Sequence, residues 1–287
     1  MRKFTLAFSR NGSIIVPELS DLVSLGILPK QISEFTNDDI GTIINIPYTD
    51  ESGEILLNNG CIEFEVVGVN HHRDMNNESK PTITLMSKNI LRYAAFDAKE
   101  LSNPDSDRQE MGNNRWSVSN IRQWLNSESA ANSWFILQHE YDAEPNASNV
   151  EYNESGAYSD EAGFLAGFSS GIKQHLAIVK NKTILCDYDK SSLGVDFEET
   201  EDKVFLPSYT EMGYGNLDNN NPEGVHLSNK FTNHNSRVKG SLDDYYWMRS
   251  PIPDGSFFVC DVTSDGTDNG GLACAGDHFI APLIVLC

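Results

Sequence analysis

DDYYWMRSPIPDGSFFVCDVTSDGTDNGG, residues 243–271, sets a strand-like apolar run directly against a very polar loop. Side chains alternate along an extended chain, so Trp247 and Arg249 share one face and Met248 takes the other. A tryptophan beside an arginine can stack or pair through its ring. Pro251 restricts Ser250 to extended backbone and ends the strand. The run GSFFVCDVTS (255–264) reads as a second strand, and the Gly, Asp, Asn and Thr that follow are turn residues. GGLACA and FIAPLIVLC continue the pattern, so 245–287 reads as an antiparallel C-terminal sheet.

The preceding chain is of mixed type. GTIINIPY (41–48), CIEFEVVGVNHH (61–72) and PTITLMSKNI (81–90) read as an antiparallel meander. Within the second, Ile62, Phe64 and Val66 alternate with Cys61, Glu63 and Glu65, giving one buried and one wetter face. In RWSVSNIRQWLNS (115–127) Val118, Ile121 and Leu125 share a helical face that Trp124 extends, with Ser117 or Ser119 as the cap. Trp134 and Phe135 read as part of a second short helix. HLAIVKNKTILCDY (175–188) is strand-like with a turn at Asn181-Lys182, and DKSSLGVDFEETEDK (189–203) reads as an acidic loop. Polar excursions run near 138–170 and 215–243, both expected to be exposed. Strands, then helices, then strands make an α+β pattern, not alternating βαβ.

Residues 1–38 read as a separate β/α arm for docking or oligomerisation. It has two strand-like runs around Arg10-Asn11-Gly12 and a short helix ending near Gly26 or Pro29. The main domain is then 39–287.

A net charge of −21 argues against nucleic-acid backbones and anionic membranes, which need cationic patches. No apolar window reaches the roughly 18 residues of a membrane span. The basic start lacks the apolar core of a secretory leader. The five cysteines, Cys61, Cys186, Cys260, Cys274 and Cys287, contain no CxxC pair and read as free thiols, with Cys260–Cys274 the one conceivable pairing.

The chain carries no GxSxG, P-loop, HExxH or strand-to-helix GxGxxG. Asp265, Asp268 and Asp277 can supply oxygen ligands to calcium, but their spacing is not that of an EF-hand loop and fits ordinary turns better. His71 and His72 have no companion ligands in sequence and read as exposed loop histidines. No catalytic residue, metal site or cofactor is expected.

Four ordered motifs carry a family resemblance: IGTIINIPY…FEVVGVNHH, NRWSVSNIRQWLN, KVFLPSYTEMG and YYWMRSP…FFVCDVTSDG…FIAPLIVL. Together they make the chain similar to uncharacterised WLRSP-motif domains of Gram-positive bacteria and their phages. The family looks like a C-type-lectin-like fold. Where it has Arg-Pro before its last strand, this chain has Ala281-Pro282. The resemblance implies a non-enzymatic, phage virion-associated protein that recognises a host-surface glycan or protein. Its implied partners are other virion proteins and further copies of itself. A purely architectural virion role and a bacterial adhesin are the alternatives. By position in such a fold, Tyr245, Tyr246, Asp254, Ser256, Phe257, Ser264, Asp265, Thr267, Asp268 and His278 are the expected displayed ligand-binding set. Trp116, Trp124, Trp247, Arg249, Ser250 and Pro251 are the expected supporting motif.

Overall fold

The computed structural model describes residues 19–240 and 244–287. The hairpin expected around Arg10-Asn11-Gly12 lies outside them. In chain order the regular elements are α1 (Leu19–Ser24), β1 (Ile43–Pro47), β2 (Cys61–Val69), β3 (Ile83–Ser87), α2 (Ser106–Met111), α3 (Asn120–Leu125), α4 (Ser170–Lys173) and β4 (Val179–Ile184). Then come α5 (Asp187–Leu193), β5 (Phe197–Asp202), β6 (Val204–Phe205), β7 (Tyr246–Pro251), β8 (Phe258–Val262), β9 (Asp268–Leu272) and β10 (Leu283–Leu286). The mixture of short helices and antiparallel sheets is α+β.

Among the described residues three sheets carry the fold: β1-β2-β3-β10-β6, the pair β4-β5, and β7-β8-β9. The first three strands form the expected antiparallel meander, with Ile44 opposite Phe64 and Ile46 opposite Ile62. The last strand departs from expectation. β10 does not extend the C-terminal sheet; it lies antiparallel between β3 and β6. Its four residues are all buried, so it shows no alternation that would mark a sheet partner, and its partners are remote in sequence.

Other local expectations are corrected by tertiary packing. Asn181 is in mid-strand, not at a turn: it is buried and its Nδ2 donates to Asp202 Oδ2 at 3.0 Å. The expected acidic loop is instead α5, closed by Gly194 at φ +71°, followed by β5. The inward residues of β5 are Thr200 and Asp202, so its buried face is polar and hydrophobic periodicity cannot reveal it. Trp134 lies in a turn, not a helix, with Nε1 donating to Tyr158 O at 3.1 Å. The excursions are not simply exposed: Tyr158, Phe164, Leu165 and Phe168 from the first, and Leu227 and Phe231 from the second, are core residues.

The cap at Ser119 follows the sequence reading, its Oγ accepting from Arg122 N, while Val118 ends a preceding 3-10 turn. At the other end of the chain, α1 stops before Gly26, whose φ of +72° suits glycine. Leu22, Leu28, Ile32 and Phe35 are buried in the same hydrophobic cluster as the large sheet. The described part of the 1–38 segment is therefore continuous with the core. All five cysteines are free.

Candidate functional site

Among the described residues a cleft of about 1070 Å³ opens far from the C-terminal loops in sequence. One wall is the loop after β1, residues 49–55. The other comes from residues 128–131 and 146–167. Tyr48 joins them at the base. Its Oη donates to Phe164 O at 2.9 Å, and its ring meets Phe168 edge-on at 5.0 Å. Thr49 N donates to Gly167 O at 2.9 Å, tying wall to wall. A Cβ on Gly167 would stand 2.2 Å from the Tyr48 ring, so only glycine lets the backbone pass there. Trp124 Nε1 donates to Ala162 O at 2.9 Å.

Arg92 lies at the bottom, only 3% exposed. Its guanidinium sits 5.5 Å from the Trp124 ring and 5.8 Å from the Tyr158 ring. It donates to Tyr93 O, Ser155 O and Ala157 O and pairs with Glu161. Burial pushes the Glu161 carboxyl above its usual range, against the pull of Arg92. The 49–55 loop is held in shape by Asp50, whose carboxylate accepts from Ser52 N and Oγ and from Ile55 N. These contacts preform the cleft: its walls are fixed by buried aromatics and backbone bonds before any ligand arrives. No histidine or cysteine lines it.

The expected C-terminal set divides. Asp254, Asp265 and Asp268 are exposed, and Tyr245, Phe257, Ser264 and Thr267 are half-buried. Tyr246, Ser256 and His278 are buried, which corrects their expected display. Tyr246 Oη donates to Arg237 O at 2.6 Å. Ser256 O accepts from Arg108 Nε at 3.2 Å. The His278 ring stacks on Trp247 at 3.9 Å and bonds Asp277 Oδ1 at 2.8 Å and Asp261 Oδ2 at 3.3 Å. Burial opposes protonation of His278, but the hydrogen bonds to the two carboxylates outweigh it and raise its pKa above the usual imidazole value.

The polar turn between β8 and β9 is turned inward on itself. Asp265 Oδ1 accepts from Thr263 Oγ1 at 2.6 Å and Thr267 Oγ1 at 2.7 Å. These bonds and the Thr267 backbone N–H hold its pKa down to about 2. Tyr209 Oη donates to Asp268 Oδ2, and Tyr214 Oη to Gly266 O. The three aspartates considered for calcium thus take separate protein partners: threonines for Asp265, Tyr209 for Asp268 and His278 for Asp277. Among the described residues no group of three or more metal-ligating side chains converges.

The supporting motif is buried throughout. Trp116 Nε1 donates to Thr200 Oγ1 and Asp202 Oδ2, and Trp247 Nε1 to Ala94 O. Arg249 forms a bidentate pair with Glu211 at 2.7 and 3.0 Å and also donates to Leu206 O and Glu223 O. His72 Nε2 reaches Glu211 Oε1 at 3.0 Å, so His72 is part of this buried network and not an exposed loop histidine. Burial works against the Glu211 charge, but Arg249 and His72 hold its pKa well below the usual carboxylate range. Ser250 Oγ donates to Glu223 Oε2 at 2.6 Å. Burial pushes Glu223 up to about 7, with Arg249 and Ser250 opposing. Pro251 ends β7 opposite Val259.

Sequence reasoning missed Glu211 and Glu223, and the whole cleft. No local signal marks them. The cleft draws on four separate stretches of chain, and its second wall lies partly in a segment whose polarity suggested simple exposure.

The model of the family described as Domain of unknown function (DUF6273) matches residues 81–286, which include α3, the cleft wall from 128–131 and 146–167, and β7. No curated protein and no solved structure matches the chain.

Proposed function

The chain belongs to the DUF6273 family, and from that premise we propose that it is a non-enzymatic recognition domain, a C-type-lectin-like module of a phage virion that engages a host-surface glycan or protein. The finer fold reading is supported by β10, which closes the last strand into the sheet built by the first three. The long, weakly regular stretches between β3 and β4 supply binding walls, as loops on a rigid scaffold commonly do. The virion setting, and docking to other virion proteins or to further copies through the N-terminal segment, follow from the motif resemblance.

The observation that carries the recognition reading is the preformed cleft of about 1070 Å³. It lies just above the range of ordinary ligand sites, roughly 300–1,000 Å³. The contact region therefore moves from the C-terminal loops, where Thr263, Asp265 and Thr267 bond one another, to the 49–55 and 128–167 walls. Ala131→Trp, at an exposed position on the cleft wall, plugs the mouth without touching the core. Wild type should be retained on a glycan array or on host cell-wall material, and the Ala131→Trp protein should not. Equal retention of the two, or no retention of either, refutes the reading.

A further inference from the structure

The ligand class can be narrowed from the charge and chemistry of the cleft; this step rests on the cleft being the recognition site. Seven carboxylates line it against one guanidinium, Arg92, already paired with Glu161. Glu51 and Glu54 stand exposed on one wall, and Glu154 and Asp160 on the other, where Glu128 is already paired with Lys173 at 2.9 Å and Lys203 at 4.0 Å. They do not converge on a point as ligands of a metal ion must. A ligand that answers this layout carries several separated positive charges. Between the carboxylates lie small apolar surfaces, including Ala130, Ala131, Ala147 and Ala166. These suit the methylene stems of lysine or arginine. The rims also present Ser52, Ser155, Ser159 and Asn146, whose hydroxyl and amide donors can be met by a peptide carbonyl, an acceptor that a simple polyamine lacks.

We propose that the cleft docks an extended basic peptide segment of a partner protein, one bearing at least two lysine or arginine side chains. Two walls of negative charge steer such a segment inward and lose that advantage as salt rises. The test uses the full-length protein and a fluorescent (Lys-Ala-Ala)3 peptide followed by anisotropy, with (Glu-Ala-Ala)3 and spermine as comparisons.

Saturable one-to-one binding is expected for the lysine peptide and none for the glutamate peptide. Glu51→Lys with Glu54→Lys should weaken binding at least about tenfold, as should raising salt from about 50 to about 500 mM. Glu78→Lys with Glu110→Lys, exposed and outside the cleft, makes the same change of net charge and should alter affinity less than about twofold. Equal losses from the two double variants would show general attraction to an acidic protein and overturn the proposal. So would spermine binding as tightly as the peptide, or no peptide binding. If Ala131→Trp still abolishes retention on host material while the lysine peptide is ignored, the cleft is the recognition site and only the basic class is wrong. If neither effect occurs, both readings fall.

Discussion

Arg249→Met should be among the most damaging single substitutions in this chain. The side chain is 1% exposed. It supplies both arms of the pair with Glu211 and bonds to Leu206 O and Glu223 O. Removing it leaves the fully buried Glu211 carboxylate with His72 at 3.0 Å and the Ser208 backbone N–H at 2.9 Å, and no guanidinium. Breaking one side of a buried pair costs about 3–5 kcal/mol. At about 2–4 °C per kcal/mol for chains approaching this size, the melting temperature should fall on the order of 6–20 °C. The pH dependence gives a second check. In wild type the Glu211 pKa is depressed, so its contribution is complete above the unfolded-state value and is lost only as pH falls through the folded one. In the variant burial acts on the carboxylate without Arg249 to oppose it, its pKa is raised, and a proton taken by Glu211 relieves the strain. The deficit should therefore shrink as pH falls from about 8 to about 5. Urea unfolding of both proteins across that range measures it. Adding Glu211→Leu should restore part of the loss, because an apolar replacement of both partners is tolerated better than one stranded charge. A loss under about 1 kcal/mol, or a deficit that does not change with pH, would refute the reasoning.

The remaining predictions concern neighbouring elements. Glu223 is raised to about 7, so wild-type stability should decline as pH rises from about 4.5 to about 7 through this group, and Glu223→Gln should flatten that decline in urea titrations. The His278 pKa is also raised; its charged contacts with Asp261 and Asp277 are complete below the unfolded imidazole value of about 6.5 and are lost as pH rises through the folded one. The thermal-stability gap between wild type and His278→Gln should accordingly be wider at about pH 5.5 than at about 8.5, by roughly 1.5–3 kcal/mol; a gap of the same size at both would contradict it. Gly112 has φ +80°, and a Cβ there would stand 2.8 Å from Asp97 O. Gly112→Ala should cost at least about 1–3 kcal/mol in chemical denaturation.

Several features were legible in the chain alone. Alternation in Cys61–Val69 placed Ile62, Phe64 and Val66 inward, and the structure buries all three. The spacing of Val118, Ile121 and Leu125, extended by Trp124, marked α3 and Ser119 its cap, though Val118 falls in the 3-10 turn before the helix. Gly26 marked the end of α1. These are readings of period and turn chemistry, which a short window contains.

The candidate site was not legible in the same way. The stretch from Asp243 to Gly271 drew attention to its polar loop, but Thr263, Asp265 and Thr267 bond one another, and Tyr246, Ser256 and His278 turn into the core. A polar residue in a sequence does not say whether its partner is water or another buried polar group. The inward faces of β5 and of the Arg249 network are polar too, so no hydrophobic pattern announces them.

The sequence by itself determined the element types where one face is apolar and the other wet, because those patterns repeat within a few residues. Only the tertiary structure decided that β10 inserts beside β3, that Arg249 meets Glu211, and that residues 49–55 face 128–167 across a cleft. Each joins segments distant along the chain. Their pairing depends on shape, burial and charge compensation in three dimensions, for which no local spacing exists.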